Sequence, residues 1–278
     1  MKDLMSRAES EGYAVPSFCV WGAETMAVVL GVAQDMRAPV ILMNGPMEFL
    51  VLSPADMAAT ANVMARRFNI PAALHLDHGD SMTQVDAAIA GGYTSVMLDF
   101  SAKPYEENAA ALRDVVRKAR PRGVTVEGEI GHVGKVDNVT AEGQGDSTLT
   151  VPAEAAAYAA ETGVDALAVS IGNAHGQYTK LPRFDFERLA AIRAAVPVPL
   201  VLHGGSGTPD EDIRRAISMG IAKVNVATDL VRTIRESLLA QWGAGRNLWL
   251  PAATAEATHL IAPVVARWIE RVGAARRA

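Results

Sequence analysis

Short apolar runs rich in β-branched residues alternate along the chain with longer stretches in which apolar residues recur every three or four positions. Runs of the first kind are typical of buried strands, and the longer stretches are typical of helices that cover one face of a sheet. Eight short runs predict strands, at 13–20, 39–43, 71–77, 94–100, 123–130, 164–171, 198–204 and 221–228.

Helical patterns occupy the intervals between these runs, for example at 24–36, 81–92 and 208–220. The segment 208–220 has the clearest boundaries. We expect Thr208 to be its N-cap, Pro209 its first helical residue and Gly220 the residue that ends it, because these residue types favour those positions.

Eight strand–helix units within 278 residues predict an α/β fold, a (β/α)8 TIM barrel that forms one domain over residues 1–278. A doubly wound open sheet is the alternative. A long connection follows the fifth strand, at 131–152, with little periodicity and several glycines. Loops of that length are commonly functional lids or disordered segments. The stretch from Pro251 onwards predicts an extra C-terminal helix.

Composition and charge narrow the class of protein. Apolar residues make up 50% of the chain, the formal net charge is −5, and Cys19 is the single cysteine. The acidic balance gives no electrostatic footprint for nucleic acid. Charged residues interrupt every apolar run before it reaches the length of a membrane helix, and the first residues lack the features of a signal peptide. A lone cysteine fits a reducing compartment, so we expect a cytoplasmic protein.

Polar residues gather at the ends of the predicted strands, where a (β/α)8 barrel carries its chemistry. The stretch HLDHGD (75–80) ends the third strand. In chain order the polar residues at these ends are Asp77, His78, Asp99, Glu127, Glu129, His175, His203, Asn225 and Thr228. Three of the six histidines therefore follow three different strands on one rim.

Three imidazoles with an open fourth position are a common way to hold a catalytic zinc. No HExxH helix is present to supply such a site by another route. A single histidine is more often structural, so the prediction depends on the barrel. His75 should point away from His78 if both follow the alternation of the strand, and it is interpreted as supporting. His132 and His259 are interpreted as structural.

A glycine turn suggests a site for an anion. The segment GGSG (204–207) follows His203 and precedes the predicted helix start, and NVAT (225–228) follows the next strand. Successive backbone N–H groups at such turns bind anions, and barrels often bind phosphate after strands seven and eight. The two segments together predict a phosphorylated ligand.

Six segments in this order carry a family resemblance: HLDHG, SVMLDFS, VEGEIGHVG, VDALAVSIGNAHGQY, LVLHGGSG and KVNVAT. Between about residue 12 and residue 230 the chain resembles the class II, zinc-dependent ketose-bisphosphate aldolases, which include fructose-1,6- and tagatose-1,6-bisphosphate aldolases. The resemblance implies a lyase that acts on a phosphorylated sugar.

The resemblance also implies roles for individual residues. His78, His175 and His203 match the zinc ligands, and Asp77 matches the acid–base group at the carbon being attacked or released. Asp99 and Glu129 match a possible alternative metal position, Asp137 a loop acid that moves the donor's C3 proton, and Arg246 an arginine that meets the second phosphate from a neighbouring subunit. The residues that match the phosphate site are Gly176, Gly204, Gly205, Ser206, Asn225, Val226, Ala227 and Thr228.

Elementary chemistry agrees with these roles. Removing a proton beside the ketone of dihydroxyacetone phosphate creates an enediolate, which needs charge stabilisation. A Zn²⁺ ion, or another divalent ion, can stabilise it as a Lewis acid. A loop acid can take the proton, and Asp77 beside a cation should stay ionised. We therefore expect reversible cleavage of a phosphorylated ketose, fructose- or tagatose-1,6-bisphosphate-like, to dihydroxyacetone phosphate and an aldehyde through a zinc-stabilised enediolate.

The chain departs from the family pattern where the rest of the substrate would lie. Cys19 stands where an asparagine is common, and Gly45 stands where a serine is common. Asp137 is shorter by one methylene than the usual glutamate, and Ala-Gly replaces Asp-Pro before Arg246. The metal and phosphate parts are kept, so the identity of the aldehyde is left open.

Other interpretations are also open. Lys223 in the eighth strand could form a Schiff base with a ketone. A barrel that has lost substrate contacts could instead be a non-catalytic sugar-phosphate-binding or helper subunit. The role expected of Arg246 predicts a homo-oligomer, a dimer or tetramer, and the apolar stretch 259–269 could pack between subunits or on the barrel itself.

Overall fold

Eight parallel strands form a closed barrel in which each strand pairs with the next and β8 pairs with β1. The computed structural model describes residues 1–134, 147–176, 178, 181–246 and 249–278. The strands are β1 Val15–Cys19, β2 Val40–Asn44, β3 Ala72–Gly79, β4 Ser95–Leu98, β5 Thr125–Ile130, β6 Ala166–Val169, β7 Leu200–Leu202 and β8 Ile221–Val226. The predicted (β/α)8 barrel is confirmed, and the open sheet is excluded.

Helices surround the barrel. They are α1 Lys2–Glu11, α2 Ala23–Asp35, α3 Pro54–Ala65, α4 Met82–Gly91, α5 Tyr105–Ala119, α6 Pro152–Thr162, α7 Phe186–Ala195, α8 Asp210–Ser218, α9 Thr228–Gly243, α10 Leu250–His259 and α11 Ala262–Arg271, with a short 3-10 turn at Arg120–Arg122. None of the helices in these described ranges is long and apolar enough to cross a membrane.

The N-terminal helix α1, which the strand–helix pattern did not predict, lies against the barrel. Its Met5 is fully buried with Ala166, Ala168, Val201 and Ala222. The side chains from β6, β7 and β8 in this cluster are small, so Met5 fills space that larger strand residues would otherwise occupy. The backbone N–H of Lys2 also donates to Thr125 Oγ1 at 3.0 Å, which fixes the start of α1 to β5.

The predicted boundaries of α8 are wrong by one or two residues at each end. The helix begins at Asp210, with Pro209 as its N-cap, and ends at Ser218. Thr208 does not cap it, because its hydroxyl donates to the carbonyl of Gly205 at 2.5 Å. Thr208 therefore belongs to the turn after β7, and α8 begins only at Asp210.

The C-terminal region contains two helices rather than the single one predicted. The apolar stretch 259–269 falls largely in α11, which buries Val264, Val265, Trp268 and Ile269 against this chain's own barrel. The indole N–H of Trp268 donates to Asp229 Oδ2 at 2.8 Å. This hydrogen bond holds α11 against the first turn of α9, where part of the predicted phosphate site lies.

Candidate active site

A local irregularity in β3 brings Asp77 and His78 to the same barrel mouth. Successive side chains of a strand point to opposite faces, so regular alternation would separate them. The pairing of β3 with β4 shifts between Leu76 and Gly79. His78 also has a φ of 50°, a left-handed conformation that is uncommon for residues other than glycine. As a result, His78 Nε2 lies 4.0 Å from Asp77 Oδ2.

Three histidines from different strand ends converge at this mouth. His78 lies within β3, His175 follows β6, and His203 follows β7 directly. One ring nitrogen from each lies within 4.8 Å of the others, and His78 Nε2 lies 3.1 Å from His175 Nε2. The structure therefore brings together the three predicted ligands.

The other ring nitrogens of the three histidines are held by acceptors. His78 Nδ1 lies 2.6 Å from Asp99 Oδ2, and His175 Nδ1 lies 3.0 Å from the carbonyl oxygen of Val133. His203 Nε2 lies 2.9 Å from Glu127 Oε1. Since carboxylates and carbonyls accept, these nitrogens carry the hydrogens. Such outer partners are typical of metal-binding histidines.

The remaining nitrogens fit a divalent cation. The Nε2 atoms of His78 and His175 face each other, so either a proton or a divalent cation must lie between their lone pairs. His203 Nδ1 is buried without a hydrogen-bond partner among the described residues, although Glu129 Oε2 lies 3.0 Å away out of alignment. Burial, followed by the nearby His78 and His203, lowers the pKa of His175 to about 3, which favours the neutral ligand form.

Asp77 is held ionised beside this cluster. Burial alone would raise its pKa, but the charges of His78, Lys223 and His203 outweigh burial and lower the pKa to about 2. Asn225 Nδ2 donates to Asp77 Oδ1 at 2.9 Å, so the carboxylate is both oriented and able to accept a proton.

A fully buried ion pair lies inside the barrel beneath His203. Lys223 Nζ donates to both oxygens of Glu127, at 3.0 and 2.8 Å, and neither side chain is exposed. Glu127 in turn accepts from His203. This pairing argues against the Schiff-base alternative, because the Lys223 amine is already engaged by a carboxylate inside the strand ring.

His75 lies beside the same pair, on the Asp77 side of β3. The predicted opposition of His75 and His78 depended on regular alternation, which the register shift after Leu76 interrupts. The His75 ring is fully buried, with Nδ1 2.8 Å from Ser95 Oγ and Nε2 3.7 Å from both Asp77 Oδ1 and Glu127 Oε2. These contacts connect Asp77 to the buried ion pair.

The predicted alternative metal residues, Asp99 and Glu129, lie close together with His132. The Ser101 hydroxyl donates to Asp99 Oδ1 at 2.6 Å and lies 2.8 Å from His132 Nδ1. Glu129 Oε1 accepts from the Val133 N–H at 3.0 Å. His132, which sequence reasoning set aside as structural, is thus connected to Asp99 through one hydroxyl.

The glycine turn after β7 is tightly packed. Gly204 has a φ of 66°, and a Cβ there would collide with the carbonyl oxygen of Ala174. Gly205 N–H donates to the carbonyl of Asn225 at 3.0 Å, which joins the turn to the end of β8. Only glycine suits this close approach of the two backbones.

The second predicted phosphate segment leads directly into a helix. Asn225 and Val226 end β8, Ala227 is the N-cap of α9, and Thr228 is its first residue. Ser206 Oγ accepts from the Asp229 N–H at 3.2 Å, so the glycine turn lies against the same helix start. A helix N-terminus beside a glycine turn is suited to an anion. Gly176, next to His175, has a φ of 105°.

Asp137 lies outside the described residues. Arg246 lies in the connection between α9 and α10, where its side chain is 61% exposed and lies 3.6 Å from Glu256 Oε1. Its predicted contact with a second phosphate requires a neighbouring subunit and stays a prediction.

Two residues that sequence reasoning did not single out hold the histidine loops in place. Asn173 accepts from the Ile171 N–H at 2.8 Å and donates to the His203 carbonyl at 3.1 Å. The Tyr178 hydroxyl is 2.8 Å from both the N–H and the carbonyl of Ala174. Asn173 belongs to the GNAHG segment, so the motif contained a signal for it.

The comparison with known families agrees with this geometry. The fructose-bisphosphate aldolase class-II family matches residues 1–277. The chain belongs to this family. Class II aldolases are metal-dependent lyases, so the protein is an aldolase-type enzyme of the carbon–carbon lyase class, and the histidine cluster is a candidate for its metal site.

Solved structures of aldolases are similar over nearly the whole chain. The YdjI aldolase from Escherichia coli K12 is 33% identical, with a TM-score of 0.88 over 100% of this chain and 98% of that one. A candidate fructose-1,6-biphosphate aldolase from Coccidioides immitis is 28% identical, with a TM-score of 0.86 over 98% and 96%. Fructose-bisphosphate aldolase from Campylobacter jejuni is 22% identical, with a TM-score of 0.83 over 99% and 94%, and it supports the fold alone.

Proposed function

We propose that the protein is a zinc-dependent aldolase that reversibly cleaves a phosphorylated ketose to dihydroxyacetone phosphate and an aldehyde. The observation that carries the proposal is the facing pair of histidine nitrogens, 3.1 Å apart, with the outer nitrogen of each ring held by an acceptor. The two facing nitrogens need a proton or a cation between them, and an ionised Asp77 lies beside them.

His78, His175 and His203 would hold the ion. When bound, Zn²⁺ supplies Lewis-acid stabilisation of the negative charge that develops on the enediolate. Asp99 Oδ2, the Val133 carbonyl and Glu127 Oε1 keep the three rings oriented, so the site needs little rearrangement. Asp99 and Glu129 also offer carboxylates for an alternative ion position.

The glycine turn and the start of α9 would bind the phosphate of the three-carbon donor. The N–H groups in this region and the helix dipole of α9 favour a dianion. Fixing the phosphate on one side of the mouth orients the donor carbons toward the histidines, so that binding energy is used for alignment.

Asp77 would move the proton at the bond that breaks. In the cleavage direction its carboxylate accepts the proton of the hydroxyl on the carbon next to the donor, and in the synthetic direction it returns that proton. Its low pKa keeps it ionised and ready to accept, and Asn225 Nδ2 orients it. We assign to Asp137 the exchange of the C3 proton of the donor.

Proton exchange at C3 of dihydroxyacetone phosphate tests this proposal without assuming an aldehyde. The metal-loaded protein should exchange that proton with deuterium from solvent, as observed by NMR, and EDTA should stop the exchange. Binding of dihydroxyacetone phosphate without exchange would favour the helper-subunit alternative.

A further inference from the structure

A carboxylate lies at the barrel mouth next to Asp77, on the β1 and β2 side. Glu48, in the turn after β2, accepts from the Gly45 N–H through Oε2 at 2.7 Å. Its Oε1 lies 3.6 Å from the Cys19 thiol at the end of β1. Nothing in the strand pattern or in the motifs singled out Glu48.

Glu48 is close to the reacting end of the site. A Cβ placed on Gly45 would collide with the backbone carbonyl of Asp77, and it would lie 3.7 Å from Glu48 Oε2. Burial, then the charges of Glu48 and Asp77, raises the pKa of the Cys19 thiol, so both carboxylates act on the same atom. Glu48 and Asp77 therefore border one region of the mouth.

Glu48 also lines a groove of about 450 Å³. Its lining is mainly apolar, with Trp21, Met47, Ile234 and Trp242 among the residues that form it, and Glu48 and Arg235 are its charged members. Arg235 is exposed on α9, whereas Glu48 is the charged group in contact with Cys19 and Gly45.

The position of Asp77 relates this groove to the substrate. Under the proposed function, Asp77 serves the hydroxyl on the carbon that becomes the aldehyde, so the rest of the aldehyde must lie within a few bond lengths of Asp77. In a six-carbon ketose bisphosphate the second phosphorus lies only about 5 Å beyond that carbon. It would come close to Glu48.

We propose that Glu48 selects against a second phosphate, so that the substrate is a ketose 1-phosphate whose aldehyde half is uncharged and hydroxylated. Hydroxyl groups of the aldehyde can donate to the Glu48 carboxylate. The C–H groups of the aldehyde's carbon chain can pack on Trp21, Met47 and Trp242. A phosphate dianion at the same place would meet a like charge, which disfavours binding strongly. This inference rests on the proposed function and names its substrate class.

The test compares kcat/KM for retro-aldol cleavage of fructose and tagatose 1-phosphates with that for the two 1,6-bisphosphates, using the zinc-loaded protein. We expect the preferred 1-phosphate to be cleaved at least about tenfold more efficiently than its 1,6-bisphosphate. Glu48→Gln keeps an oxygen that can accept from Gly45 and removes the charge. It should raise kcat/KM for the bisphosphate about tenfold, mostly through KM, and lower the value for the monophosphate, because the hydroxyls of that substrate lose a charged acceptor.

Glu236→Gln is the matched control, because Glu236 is an exposed carboxylate on α9 and its loss changes the net charge by the same amount. It should leave the preference unchanged. A bisphosphate preference in the wild-type protein would overturn the inference, most clearly if Arg235→Gln or Arg246→Gln removed that preference. An equal effect of Glu48→Gln on both substrate classes would also overturn it.

Exchange at C3 of dihydroxyacetone phosphate distinguishes failure of the proposed aldolase function from failure of the role assigned to Glu48. If exchange is zinc-dependent but bisphosphates are preferred, the proposed function stands and the assignment of Glu48 is wrong. If no exchange occurs, both are wrong.

Discussion

Replacing Lys223 with methionine tests the buried ion pair beneath the histidines. Lys223 and Glu127 are fully buried, with both carboxylate oxygens within 3.0 Å of the ammonium. Methionine has similar length and no charge. The substitution leaves the Glu127 carboxylate in the barrel with His203 as its remaining direct partner, and an unpaired buried charge is costly.

The expected loss is about 3–5 kcal/mol in the free energy of unfolding, the range found when one partner of a buried pair is removed. Urea denaturation of the metal-free protein measures it. The double variant Lys223→Met/Glu127→Gln should lose less than Lys223→Met alone, because no uncompensated charge remains. Lys118→Met is the control, since Lys118 is paired with Asp86 at the surface and should have little effect.

The double variant should weaken metal binding, because its Glu127→Gln change replaces the carboxylate that accepts from His203 with a neutral amide. Glu127 fixes the hydrogen of His203 on Nε2 and leaves Nδ1 for the ion, and loss of such outer contacts commonly lowers metal affinity by about 10–100-fold. Competition with a chelator measures this affinity independently of activity. A cost below about 1 kcal/mol in Lys223→Met, or a double variant that is less stable than the single one, would refute the reasoning.

Three further changes probe the mouth and its support. His175→Ala should lower the bound metal per subunit measured by atomic emission, and retained metal would argue against its role as a ligand. Gly45→Ala should lower kcat at least about tenfold, because its Cβ would displace the backbone of Asp77, whereas Gly243→Ala has open space and should be neutral. Asn108→Ala removes two buried hydrogen bonds and should cost about 2 kcal/mol in thermal or urea unfolding, and an unchanged stability would contradict this expectation.

The number of strands and the rim on which polar residues gather were predictable from the sequence, because both follow from local periodicity. The strand ends were harder. Five of the eight predicted runs end after the observed strand, since pairing in the barrel ends before the predicted run does, whereas the runs for β2 and β3 end before it; β7 pairs only over Leu200–Leu202. His203 and Gly204 then leave the ladder, with Gly204 at a φ of 66°.

The placement of His78 shows what periodicity misses. Alternation along β3 puts His75 and Asp77 on one side and His78 on the other. The family resemblance nevertheless identified His78 as a ligand, and the structure supplies the physical reason, a register shift combined with a φ of 50°. Neither feature can be read from the pattern of apolar residues, because both depend on the pairing with β4.

Glu48 and Glu127 show a second reason why the site could not be predicted completely from the sequence, namely that their partners are distant along the chain or lack a motif. Glu127 was visible as a polar residue within a strand, but its partners Lys223 and His203 come from strands that are distant in sequence. Glu48 lies in a turn and has no sequence signal at all. Its meaning depends on its contacts with Cys19 and Gly45, two positions where the chain departs from the family pattern.

Metal-dependent aldolase activity is tested most directly by retro-aldol cleavage of ketose phosphates with the purified protein before EDTA treatment, after it, and after zinc is added back. Formation of dihydroxyacetone phosphate can be followed with a coupled assay. We predict cleavage of at least one ketose phosphate that EDTA abolishes and zinc restores. Cleavage that persists in the metal-free protein, or no cleavage of any ketose phosphate by the zinc-loaded protein, would contradict the account.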